Sequence, residues 1–308
     1  MNQRHLFSRR ASALAVFALS SSLLLPGSLR AQSYSSGQPV WPAYEGWEKN
    51  DDGTFSLLFG YMNDNWEEEV NVPVGPDNNF SPGPADQGQP THFLPRRNRF
   101  IFRVKVPKDF GQKELVWTLT TQGKTQKAYG TLRLDLLIEN VDIMSETGAL
   151  GAGSSNPTLR GDKPPVVAIE GPKTRTAKVG QPVTLTALVT DDGIPPRRAL
   201  PPDRVRQASR VPPFRPTVNK NLGLHLAWLV YRGAGPVEFE PAQIKTWEDT
   251  RTGANSPWAP IWVAPEPPPG GKHTVQATFS APGTYVLRAR ADDGLLTGDD
   301  ELTVTVTP

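Results

Sequence analysis

Residues 284–306 read TYVLRARADDGLLTGDDELTVTV. Two stretches of alternating apolar and polar residues flank a short Asp-Asp-Gly loop. A side-chain period of two marks extended strands, and a loop this short joins them as an antiparallel hairpin. Four aspartates, Asp292, Asp293, Asp299 and Asp300, gather at its tip.

Composition sets the class. The first 31 residues carry a basic start (Arg4, Arg9, Arg10), an apolar run from Ala11 to Leu25, a Pro-Gly break, and Ala31 as a cleavage point. They read as a signal peptide for export. The apolar run is too short for a membrane span, so no transmembrane segment is expected in the mature chain. The leader holds four arginines and no acid. Removing it from 33 basic and 31 acidic residues leaves the mature chain acidic by two. The basic character of the full sequence is therefore the leader's and is no argument for nucleic acid as a partner. With no cysteine, disulfides, thiolate metal sites and a lipoprotein anchor are excluded.

Residues 35–144 carry repeated strand patterns: Thr54–Tyr61, Arg99–Val106, Glu114–Thr121 and Tyr129–Leu136. In Arg99–Val106, alternation places Phe100, Phe102, Val104 and Val106 on one face and Ile101, Arg103 and Lys105 on the other. Turn-rich pieces separate these runs, and no segment holds a helical stripe. A β-sandwich of unassigned family is the simplest architecture for this region. Residues 145–163 are small, polar and patternless, which is linker composition. Their Arg160-Gly161-Asp162 triplet matches an integrin-binding tripeptide, a match short enough to arise by chance.

From Pro164 the sequence carries spaced features. Gly180-Gln181-Pro182 turns into a strand ending at Asp191-Asp192-Gly193. Trp228 sits on a central strand, Gly283-Thr284-Tyr285 opens the strand ending at Asp292-Asp293-Gly294, and a Thr/Val strand closes the chain. Residues 164–308 resemble the PKD-type, Ig-like β-sandwich of bacterial extracellular proteins. The resemblance implies structural roles for Trp228 as the buried aromatic, Gly283 at the strand opening, and Tyr285 as a tyrosine corner bonding nearby backbone. It also implies that the two DDG loops emerge at the same end of the domain. Asp191, Asp192, Asp292 and Asp293 would then converge, flanked by Asp299 and Asp300. Two readings stand. Asp accepts hydrogen bonds from backbone NH groups two residues on, so turn chemistry alone accounts for DDG. Alternatively, the carboxylates share calcium, a hard cation that takes six to eight oxygens.

Two insertions interrupt this domain. Residues 195–220 hold seven basic residues, Arg204 and Arg206 among them, one acid and seven prolines. They form either a solvated loop or a dock for an anionic partner. Residues 241–271 carry Trp247, Trp258 and Trp262, which either anchor the loop or stack on sugar rings. Trp41, Trp47 and Trp66 in the first domain invite the same two readings. His92, His225 and His273 show no metal-ligand spacing, and the sequence contains no catalytic motif. The expectation is an all-β protein of two β-sandwich domains, exported to the periplasm or cell exterior. It would be a non-enzymatic binding or structural protein engaging a protein or glycan partner. A carbohydrate-binding accessory protein is the alternative, and a hydrolase of unrecognised type the third reading.

Overall fold

The computed structural model describes residues 34–146, 157–197, 223–233, 235–245 and 266–308. Trp247, Trp258, Trp262, Arg204 and Arg206 lie outside the described residues, as does the leader. Among the described residues no helix is long and apolar enough to cross a membrane.

The first sandwich is built from β1 (Val40–Lys49), β2 (Phe55–Asn63), β3 (Val70–Asn71), β4 (Asn78–Ser81), β5 (His92–Phe93), β6 (Arg96–Val106), β7 (Leu115–Thr121) and β8 (Lys124–Gly130). One sheet runs β1-β2-β6 and another β4-β7-β8, with β3-β5 as a small ladder. Inward-facing aromatics fill the space between them. Phe102 meets Trp117 edge-on at 5.1 Å, and Phe59 stacks on Phe102 at 5.5 Å. The buried indole of Trp117 donates to Asn78 Oδ1 at 2.9 Å. Asn78 in turn donates to the Val72 and Pro90 carbonyls, so the polar group inside this core is satisfied.

The alternation expected over Arg99–Val106 holds from Phe102 to Val106 and breaks at Phe100. Phe100 takes a left-handed φ of 51°, where the β2–β6 register shifts between Phe59 and Tyr61. This bulge turns Phe100 out of the aromatic core into a separate cluster, while Ile101 joins the core. Gly60 sits opposite: a Cβ there would lie 2.4 Å from the Asn98 carbonyl oxygen, so only glycine permits the approach.

The second sandwich comprises β9 (Val166–Ile169), β10 (Thr174–Lys178), β11 (Val183–Thr190), β12 (His225–Arg232), β13 (Val237–Glu240), β14 (Lys272–Phe279), β15 (Gly283–Asp292) and β16 (Thr297–Thr307). Its sheets are β10-β16-β15-β12 and β13-β14-β11-β9. The hairpin of residues 284–306 is β15–β16, paired antiparallel from Gly283↔Val306 to Asp292↔Thr297. Trp228, Leu287, Val304, Leu185 and Phe279 meet in its core.

β12 belongs to two cores at once. Leu226, Trp228 and Val230 face the second sandwich, whereas Ala227, Leu229 and Tyr231 join the aromatic core of the first. The described residues from 34 to 308 accordingly belong to one compact unit. The region expected to be a patternless linker is partly structured. Helix α1 (Asn140–Glu146) runs into its start, and within it α2 (Pro157–Arg160) buries Leu159. Leu159 packs with Leu58, Phe100, Ile143, Met144, Leu295 and Leu296, a cluster drawn from both sandwiches.

Candidate functional site

The aspartate loops occupy one end of the second sandwich. β11 runs out at Thr190, and the following loop is held by its own carboxylates. Gly193 N donates to Asp191 Oδ2 and Ile194 N to Asp192 Oδ1, each at 2.9 Å. β15 ends likewise: Gly294 N donates to Asp292 Oδ1 at 2.7 Å, and Leu295 N and Leu296 N to Asp293 Oδ1 at 2.6 and 2.8 Å. Both are turns in which Asp substitutes for a backbone acceptor. The second loop is also dry. Asp292 and Asp293 are buried, and Leu295 and Leu296 wedge into the cluster shared with the first sandwich.

Asp162 completes this group, and it was not among the aspartates expected there. Thr190 pairs with Val166 in the β11–β9 ladder. Antiparallel continuation therefore carries residues 162–165 past the loop that follows Thr190. Lys163 N donates to Asp192 Oδ2 at 3.1 Å. On the other side, a Cβ on Gly298 would fall 1.7 Å from the Pro165 carbonyl oxygen, so the chain leading into β9 lies directly against the β15–β16 hairpin. Asp162 itself is only 4% exposed. The Arg160-Gly161-Asp162 triplet therefore does not present its carboxylate, as an adhesive motif must.

At this end of the sandwich three aspartates carry buried oxygens. Both carboxylate oxygens of Asp162, Oδ1 of Asp191 and Oδ2 of Asp293 are buried without a hydrogen-bond partner. Burial pushes the Asp162 carboxyl up to about 7, with Asp192 and Asp191 adding like-charge repulsion. Burial and neighbouring Asp292 push Asp293 up to about 8, with Asp162 contributing. Asp191 is raised by burial and by Asp192.

Asp299 and Asp300 are engaged elsewhere, a correction to their place among the calcium candidates. Asp299 receives a bidentate pair from Arg290, Nε and Nη2 each at 2.6 Å. Burial would raise its carboxyl, but Arg290 and Arg288 outweigh that and hold it below the usual range. Asp300 accepts from Ile169 N at 2.7 Å and pairs with Lys173. In β16 these two carboxylates are spoken for by cations, whereas those of the loops are not. Among the described residues no three metal-ligating side chains are already arranged to hold an ion.

The residues expected to be structural sit in the second core. Trp228 is buried, and its backbone N donates to Gln243 Oε1 at 3.0 Å. The Tyr285 hydroxyl donates to the Ala281 carbonyl at 2.9 Å, bracing the turn into β15, and Gly283 opens that strand with φ 148°. Two glutamates of the acidic run 67–69 have partners. Glu68 accepts from Gly37 N at 2.5 Å, and Glu69 pairs with His92 at 3.0 Å.

No protein-family description matches the sequence, and no curated protein matches it. The fold is an all-β double sandwich. Solved structures similar to it include the PKD domain of an M14-like peptidase from Thermoplasmatales archaeon SCGC AB-540-F20, 17% identical over 48% of this chain and 99% of that one, with a TM-score of 0.24. The S-layer protein rSbsC(31-844) is 10% identical over 88% of this chain, which spans 28% of its length, at a TM-score of 0.23. The D0-D1 domain of intimin is 11% identical over 86% and 97%, at 0.22. Likeness this slight carries no function from those proteins to this one.

Proposed function

We propose that this is an exported, non-enzymatic protein whose two sandwiches act as one stiff structural unit, presenting its surface to a protein or glycan partner of the bacterial envelope or exterior. The observation that carries this reading is the double burial of β12. A strand whose two faces lie in different cores leaves no hinge between the sandwiches. The junction is also polar and specific. Tyr231 donates its hydroxyl to the Gly88 carbonyl at 2.5 Å, and Arg232 forms a bidentate pair with Asp86 at 2.7 and 2.9 Å. Such a body suits load-bearing or spacing work better than closure over a substrate. The test is fractionation of producing cells, followed by binding of the purified chain to isolated envelope. The reading expects the protein outside the cytoplasm and saturable co-sedimentation with envelope. Retention in the cytoplasm would overturn it.

A further inference from the structure

We propose that β13 is an acceptor edge for an added strand: an extended segment of a partner protein, alternating apolar and basic residues, that pairs with β13 and fills the gap between β13 and β12.

β13 ends its sheet, with β14 as its one neighbour. The ladder between them runs from Val237↔Phe279 to Glu240↔Gln276 without a register shift, so the edge is straight. Just beyond it, Ser280 N donates to the Pro236 carbonyl at 3.2 Å. Alternation then turns the NH and CO groups of Glu238 and Glu240 toward β14 and those of Val237 and Phe239 away from it. Among the described residues no backbone partner meets that outward set. The edge of β12 across the gap is partly capped. Gln243 Oε1 accepts from Trp228 N at 3.0 Å, and the Tyr231 carbonyl accepts from Thr91 N at 3.2 Å. Unpaired strand edges are templates for another chain, and β13 is the edge left open here.

A cavity of about 350 Å³ lies between the two strands, lined by residues 227–230 and 236–240. Side chains alternate between faces, so consecutive residues share one cavity only along a strand's edge. The buried indole of Trp228 also lines it, and its Nε1–H has no hydrogen-bond partner. A buried donor left open is rare enough to mark an incomplete interior. The geometry also selects the guest. Val237 and Phe239 turn their side chains to the second core, which leaves Glu238 and Glu240 exposed on the outer face. A strand laid beside β13 alternates likewise: inward side chains fill the cavity, and outward ones flank the two glutamates. Same-face neighbours on paired strands are close enough for charge pairs, so basic residues belong outside and apolar ones inside. Other charges lining the cavity are engaged. Glu69 pairs with His92 at 3.0 Å, and the buried Lys245 ammonium donates to the Pro95 and Arg97 carbonyls. Main-chain bonds would supply affinity and the alternate side chains specificity. This narrows the partner to a protein, and it rests on the binding role proposed above.

The experiment is titration of the purified mature chain with two synthetic peptides of about eight residues, an ordinary strand length. One alternates valine with lysine, the other valine with glutamate. Calorimetry reads binding, and amide hydrogen exchange reads where it occurs. The lysine peptide is expected to bind one to one and to slow exchange at Val237 N and Phe239 N. The glutamate peptide should bind about fivefold more weakly, because it sets like charges beside Glu238 and Glu240. Glu238→Lys combined with Glu240→Lys should invert that preference and keep the melting temperature, since both side chains are exposed. If that variant fails to fold, Glu238→Gln with Glu240→Gln should erase the preference. No saturable binding, or unchanged exchange at Val237 and Phe239, would overturn the proposal. So would a preference that survives the charge reversal. Self-association that already protects these two amides in the free chain would give the edge to a second copy and overturn the foreign strand. Cytoplasmic retention would sink the exported role while peptide binding still stood, so the two readings fail separately.

Discussion

The guanidinium of Arg288 lies 3.6 Å from the centroid of the Tyr231 ring and donates from Nη1 to the Ile101 carbonyl at 2.5 Å. One side chain of β15 thus crosses from the second sandwich into the backbone of the first. Its Nε and Nη2 reach Glu301 Oε1 at 2.8 and 2.5 Å, so the charge is paired inside the junction. Arg288 is almost wholly buried, and its position fixes how β15, β12 and β6 meet.

Arg288→Ala should therefore cost about 3 kcal/mol of stability, the low end for breaking a buried pair, because Glu301 is part exposed and regains water. Arg288→Lys should recover little, since an ammonium can neither stack over Tyr231 nor hold the fork to Glu301. Denaturant unfolding of both variants checks this. A loss below about 1 kcal/mol for the alanine variant would mark the contact as incidental.

Gly298→Ala places a methyl against the Pro165 carbonyl. Backbone cannot yield there as a flexible side chain would. The variant should lose about 2 kcal/mol, within the usual range for overpacking. If Gly298→Ala melts with wild type, the chain leading into β9 does not press on the hairpin.

Tyr285→Phe removes one hydroxyl and leaves the ring packed against Phe279, whose centroid lies 4.9 Å away. Loss of the bond to the Ala281 carbonyl should cost about 1 kcal/mol, the net value of a single neutral hydrogen bond. Equilibrium unfolding of the variant measures it directly.

His225 sets an acid limit. Desolvation depresses its imidazole to about 4; Asp292 and the Ile244 carbonyl work upward, and His273 and Arg197 downward. Between that value and the unfolded value near 6.5, the unfolded chain binds the extra proton, so stability falls as pH falls. From pH 7 to pH 5 the loss attributable to this group is at most about 2 kcal/mol. His225→Gln should flatten that slope; an unchanged slope would move its origin elsewhere.

Much of the fold is legible in sequence because period-two patterning is a local property. The hairpin of residues 284–306 is plain for that reason, and its register follows from the short loop. The bulge at Phe100 is not legible, since Gly60, which permits it, lies on another strand. The double burial of β12 leaves a trace: HLAWLVYR is apolar on both faces, the mark of a strand covered on both sides. Arg288 and Arg290 mislead in the opposite direction, because charge on the outer face of a strand reads as solvent exposure. Of the site, the DDG loops announce themselves by composition. Asp162 does not, since its neighbours are small and polar and only the β9–β11 register brings it alongside. The same alternation rule that finds Asp299 and Asp300 near the loops gives no sign that Arg290 and Lys173 already hold them.

Because β12 is buried in both cores, the two sandwiches should unfold as one cooperative body. Differential scanning calorimetry of the mature chain tests it most directly. A single transition whose calorimetric and van't Hoff enthalpies agree is expected. Two separable transitions, the second surviving after the first sandwich has melted, would contradict it.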